Sequence, residues 1–151
     1  SMNQYCNGFS HSGRQRGFAL IEVMIAVFIA AVGLLGVAAM QLNALKFTDS
    51  AVMTTQANFI AYDVLDRMRA NSTQLANYDL ADTDSAPNSA TDIRTQDLID
   101  FATNVASLTD GTGSIDVAGK RVTVSIGWSE VRAGGADAEG GIITITADIT
   151  N

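Results

Sequence analysis

The sequence predicts an α+β fold: a long N-terminal helix packed on a small antiparallel sheet of three to four strands, with one short additional helix. Three observations predict it. Phe18–Leu42 is an apolar run of 25 residues that contains a single charge, Glu22. From Leu45 to Met68 apolar residues continue at helical spacing, and no proline interrupts 18–71. Farther on the period changes to two: Val122, Val124, Ile126 and Trp128 alternate with polar or small residues, and Ile142–Ile149 alternates again.

Residues 1–17 form a basic leader. Ser1 precedes Met2 and is expected to be a cloning remnant outside the fold. Arg14 and Arg16 are the only basic residues ahead of the apolar run, which leaves seven basic against sixteen acidic residues beyond Gly17. This asymmetry predicts a cytoplasmic leader and an acidic body on the far side of a membrane, with the arginines setting the orientation. A net charge of −7 and a pI near 4.4 disfavour nucleic acid, and none is expected to bind directly.

As a helix, Phe18–Leu42 is about 37 Å long, enough to span a bilayer core of about 30 Å with some tilt. It is too long for the core of a cleaved secretory signal. Gly33 and Gly36 sit within it, where small residues permit close helix–helix approach. Glu22 does not fit a plain anchor. A carboxylate at that depth costs roughly 2.5–3.5 kcal/mol even on lenient insertion scales, so it marks a functional site.

Residues 43–71 continue as an amphipathic half. The stripe is expected to run through Val52, Met53, Phe59, Ile60, Val64 and Met68, and Asp63 and Arg67 make an i,i+4 acid–base pair. The whole helix, 18–71, is predicted to be about 80 Å long. Residues 72–151 then form the head. Asn77–Thr91, which holds the only proline, Pro87, reads as a loop. Asp92–Leu108 reads as the short helix, with Leu98, Phe101, Ala102, Val105 and Leu108 on one face. Strands are expected over Ser114–Ala118, Arg121–Trp128 and Ile142–Ile149, with a turn at Gly119-Lys120 and a glycine-rich connection over Gly134–Gly141.

Catalytic chemistry is largely excluded. Cys6 and His11 are the only cysteine and histidine, and both lie in the leader. Beyond Phe18 there is therefore no Cys–His nucleophile, zinc cluster or histidine base, and no disulfide forms within the chain. Asp137 and Glu139 sit among glycines without EF-hand spacing, so no metal or other cofactor is expected. The stretch Thr109–Ser114 lacks the lysine of a phosphate-binding loop and reads as a turn. Trp128 reads as a core or edge residue rather than a stacking platform.

Gly17-Phe18-Ala19-Leu20-Ile21-Glu22, behind a short basic leader, resembles the class III signal of type IV pilins and pseudopilins. The resemblance implies cleavage by prepilin peptidase between Gly17 and Phe18, then N-methylation of Phe18. It gives Glu22 the part of the family's assembly glutamate, which pairs with the new amine of an adjacent subunit. Ala19 departs from the commoner threonine. Gly33-Leu34-Leu35-Gly36 and the helix end Asp63–Asn71 are similar to PilV-type minor pilins, and the likeness covers about the first 71 residues.

The fold so implied is type IV pilin-like, and the function is that of a minor pilin in initiation and assembly of type IV pili. Expected partners are prepilin peptidase, other minor pilins, the major pilin and, before assembly, the inner membrane with the head in the periplasm. A type II secretion pseudopilin is the alternative. A membrane-anchored periplasmic enzyme with carboxylate chemistry is a more distant one. Asp63, Asp66, Arg67 and Arg69 read as a solvated, salt-bridged helix end.

Overall fold

The structure, a computed structural model, describes residues 16–130 and 140–150. In chain order it contains α1 (Arg16–Ala70), 3-10 turns at Ser72–Tyr78 and Thr83–Ser85, α2 (Ile93–Ala106), and strands β1 (Thr112–Ala118), β2 (Arg121–Trp128) and β3 (Gly141–Asp148). The chain divides into two compact units, Ser1–Leu45 and Lys46–Asn151. α1 supplies elements to both.

In the first unit α1 exposes every side chain from Ala19 onward. Leu20, Met24, Phe28, Leu34, Leu35 and Met40 are each more than two-thirds exposed. This is the only stretch long and apolar enough to cross a membrane among the described residues. A helix apolar all round needs an apolar environment, either lipid or other helices.

In the second unit α1 covers one face of a three-stranded antiparallel sheet of order β1-β2-β3. Its buried stripe is Ala57, Ala61, Val64, Leu65 and Met68. The expected stripe is corrected here: Val52 and Phe59 are exposed, at 47% and 72%. Following the large apolar residues misleads, because close approach of a helix to a sheet favours the small side chains of Ala57 and Ala61.

The central strand β2 buries Val122, Val124, Ile126 and Trp128 on one face, as its alternation requires. The opposite face is polar: Thr123 and Ser125 meet Thr146 and Thr144 of β3 at 3.2 Å. Gly119, with φ +66°, opens the two-residue turn between β1 and β2. β1 starts at Thr112, two residues ahead of expectation. Gly111 just before it leaves room for α2: a Cβ there would lie 1.9 Å from the Val105 carbonyl oxygen.

α2 begins where expected. The Asp92 carboxylate accepts the Thr95 backbone N–H at 2.7 Å, while Thr95 Oγ1 accepts the Asp92 N–H at 3.0 Å. These reciprocal bonds satisfy two donors at the helix start, and the Thr95 backbone N–H and hydroxyl, both donated to the Asp92 carboxylate, hold its carboxyl below the usual range. Leu98, Phe101 and Val105 of α2 and Leu108 beyond it enter the core.

The stretch 77–91 is more than a loop. Tyr78 and Leu80 within it, and Leu75 just before it, are buried in the core, and Leu80 exchanges two 2.8 Å hydrogen bonds with Ile115 of β1. Three apolar side chains spaced irregularly give no periodic signal, although the core needs them to close over β1.

The charged end of α1 is also partly buried. Arg67 donates to Asp63 at 3.0 Å, but also to Asp97 at 3.2 Å and Asp100 at 2.8 Å, both on α2. Burial acts against the guanidinium's charge, and these carboxylates outweigh it and raise the Arg67 pKa. Asp97 is buried and accepts the Tyr78 hydroxyl at 2.6 Å, which in turn accepts from Asn71 at 3.0 Å. The network ties α1, the 3-10 turn and α2 together. Only Asp66–Arg69 remains the exposed pair that the sequence predicts for this helix end.

Burial and the Asp97 carboxylate push the Tyr78 phenol up to about 12. The neutral phenol is thus favoured in the folded chain. Its contribution to stability is complete below a pH of about 10 and is lost as pH rises through about 12. Thermal midpoints should fall across that window, and Tyr78→Phe should lower the neutral-pH midpoint while flattening the alkaline fall. An equally steep fall in the variant would contradict this account.

At the far end of the sheet the Trp128 indole lies over Gly141, where an added Cβ would sit 2.1 Å from Cζ2. Gly141→Ala should therefore cost about 2 kcal/mol, as overpacking of a filled site does. Urea unfolding measures it, and an unchanged midpoint would show that the ring is free to move.

Candidate processing and assembly segment

The residues singled out for processing and assembly all fall in the first half of α1. Gly17 and Phe18 lie in its first turn, and Glu22 follows one turn after Phe18. At about 100° per residue, Phe18, Glu22, Ile29, Gly33, Gly36 and Met40 lie within about 40° of one line along the helix. A single face thus collects the predicted cleavage residue, the carboxylate and both glycines.

This face is open. Glu22, Ile29 and Met40 are exposed, and a Cβ added to Gly33 or Gly36 would meet nothing within 4 Å. No described residue makes an ion pair with Glu22. An isolated carboxylate on this face can receive a cation, and the backbone left open at Gly33 and Gly36 admits another helix at short range. Neither the helix period nor the composition alone reveals the common face. It requires the eleven-residue interval from Glu22 to Gly33, close to three whole turns.

The geometry does not assemble a catalytic centre. Among the described residues no group of three or more His, Cys, Asp or Glu side chains is placed to hold a metal ion. Cys6, His11 and Arg14 of the leader, and Asp137 and Glu139 of the glycine-rich connection, lie outside the described residues. The Arg67–Asp97–Tyr78 network, which the sequence does not reveal beyond its Asp63–Arg67 pair, is internal to the head, and its hydrogen bonds are directed at one another.

An exposed apolar helix that leads into a helix-on-sheet head defines a class of subunit, one that must bury its N-terminal helix in lipid or among other helices. Comparison with known families identifies it further. Residues 12–38 match the prokaryotic N-terminal methylation motif, and residues 39–105 match the family described as Type IV pilin Tt1218. The two matches meet end to end, so over residues 12–105 the chain is similar to an N-terminal methylation motif followed by a type IV pilin family. The type IV pilin family is structural rather than enzymatic. The second match ends within α2, so the three strands lie beyond it. No curated protein and no solved structure matches the chain.

Proposed function

We propose that the chain is a minor pilin of the PilV type, which takes part in initiating and assembling type IV pili. The observation that carries this reading is the lone Glu22 carboxylate on the open apolar face of α1, one turn from Phe18 and inside the methylation-motif match. Prepilin peptidase cuts between Gly17 and Phe18 and methylates Phe18. The mature chain then consists of the helix 18–71, with 18–42 in the membrane or fibre core and 43–71 against the sheet, and the head 72–151.

Cleavage creates the cation that Glu22 lacks. Before it, the carboxylate is an isolated charge at the edge of an apolar run. Afterward, the new amine of a neighbouring subunit neutralises it when the helices stack. A buried ion pair adds little net stability, but it specifies register well, because a slipped register leaves two unpaired charges in an apolar core. Gly33 and Gly36 on the same face let the neighbouring helix approach closely enough for the pair to form. The partners in this reading are other minor pilins and the major pilin, with the inner membrane as the store before assembly.

Glu22→Ala should leave the chain in the membrane fraction after carbonate extraction, because removing a charge favours insertion. It should also deplete the chain at least several-fold from sheared pili. Normal amounts in the pili would remove Glu22 from the assembly mechanism. A clean deletion in the native cell, scored for surface pili and for secreted enzymes, tests the reading as a whole. Loss of pili with normal secretion is expected, whereas loss of secretion with normal pili would assign the same residues to a type II secretion pseudopilus.

A further inference from the structure

The two edges of the sheet are not equivalent. β1 is capped by Leu80, which exchanges both backbone hydrogen bonds with Ile115, and Asp79 accepts the Val117 N–H at 3.2 Å. β3 pairs only with β2 among the described residues. Its inner face, Ile143, Ile145 and Ala147, is only half-buried, although the matching face of β2 is fully buried. Natural edge strands are usually protected by a lysine, a proline, a bulge or shortness. β3 runs eight residues, and from Gly141 to Ala147 it carries none of these protective side chains.

A second observation lies at the start of the same strand. The Trp128 indole reaches from β2 across Gly141 of β3, and its Nε1–H is the only buried side-chain polar atom without a hydrogen-bond partner among the described residues. Trp128 itself is 5% exposed. A buried donor left unpaired costs free energy, so natural proteins rarely keep one. This one lies over the edge strand, on the face where β3 is incompletely covered.

We propose that the free edge of β3 is a strand-docking site, occupied in the assembled fibre by an extended, uncharged segment of a different pilin subunit, with an acceptor oxygen of that segment taking the Trp128 Nε1–H. This rests on the minor pilin reading above. The segment's alternate residues are apolar, to extend the half-covered row Ile143, Ile145 and Ala147. The residues between them are small and neutral, to continue the hydroxyl rows of Thr144 and Thr146. Such pairing takes its strength from backbone hydrogen bonds and its selectivity from the alternate side chains.

A second copy of this chain does not supply the segment. Two β3 strands paired antiparallel are related by a two-fold axis perpendicular to the sheet, which reverses the direction of α1 along the sheet face. Subunits that enter one fibre from one membrane share that direction. Parallel pairing of the same edges turns one sheet's inner face outward. The β1 edge of another copy is interrupted at its middle, where Leu80 pairs with Ile115. A different subunit is what the geometry leaves.

The test places the photo-crosslinker p-benzoylphenylalanine at Thr144 of the full chain in native cells, with Thr123 of β2 as the control position, and identifies products by mass spectrometry. The expected product joins Thr144 to a different pilin and is several-fold weaker from Thr123. Trp128→Phe, which keeps a ring and removes the orphan donor, should reduce that product about fivefold, the worth of one net hydrogen bond. The thermal midpoint of the purified chain should fall only modestly, since loss of the unsatisfied donor partly offsets the cavity left by the smaller ring. A self-crosslinked product, equal products from both positions, or a Thr144 product indifferent to Trp128→Phe would each overturn the proposal. Co-fractionation with pilins but no Thr144 product overturns this docking alone, while absence from all pilin fractions overturns the assembly reading with it.

Discussion

A single carboxylate in the otherwise apolar, fully exposed first half of α1 is the constraint to which the rest of the structure answers. Glu22 is costly in lipid and has no partner among the described residues. On the proposed reading a cation arrives from outside, at a defined depth, to offset that charge. In the proposed mechanism that cation is the amine exposed by cleavage before Phe18, so processing and assembly are coupled through one charge. In that mechanism Gly33 and Gly36, open on the same face, set how near a neighbour can come.

The head solves a different physical problem. Lys46–Ala70 of α1 has an apolar stripe that must be covered, and β2 covers it with four buried side chains on one face. The Arg67–Asp97–Tyr78 network fixes α1 to α2 with charge-assisted bonds at the edge of the core, where Arg67 is still 35% exposed. Its worth lies less in net stability than in excluding other packings, since a displaced α2 leaves the buried Asp97 carboxylate unpaired. Among the described residues the sheet is asymmetric, with Leu80 paired to β1 and only β2 paired to β3.

Much of this was legible in the sequence because periodicity reports burial. The alternation Val122–Trp128 defined β2 with its inward face, and the helical spacing of Leu98, Phe101, Val105 and Leu108 defined α2. The long apolar helix followed from length and composition alone. Where reading failed, the interaction was long-range or aperiodic. Leu75, Tyr78 and Leu80 join the core from a segment without a repeat, and Arg67 meets Asp97 across thirty residues. The stripe on α1 was misdrawn through Val52 and Phe59 because hydrophobic size was taken for burial, whereas Ala57 and Ala61 carry the contact. The open edge of β3 and the orphan indole donor have no sequence signature, since both are defined by what does not pair with them.

The central claim is that cleavage before Phe18 prepares the chain for assembly into a pilus. Intact-protein mass spectrometry of the chain recovered from sheared surface pili tests it most directly. The account predicts a species that begins at Phe18 and carries one extra methyl group. A chain found in pili with its leader attached, or found processed yet absent from pili of every kind, would contradict it.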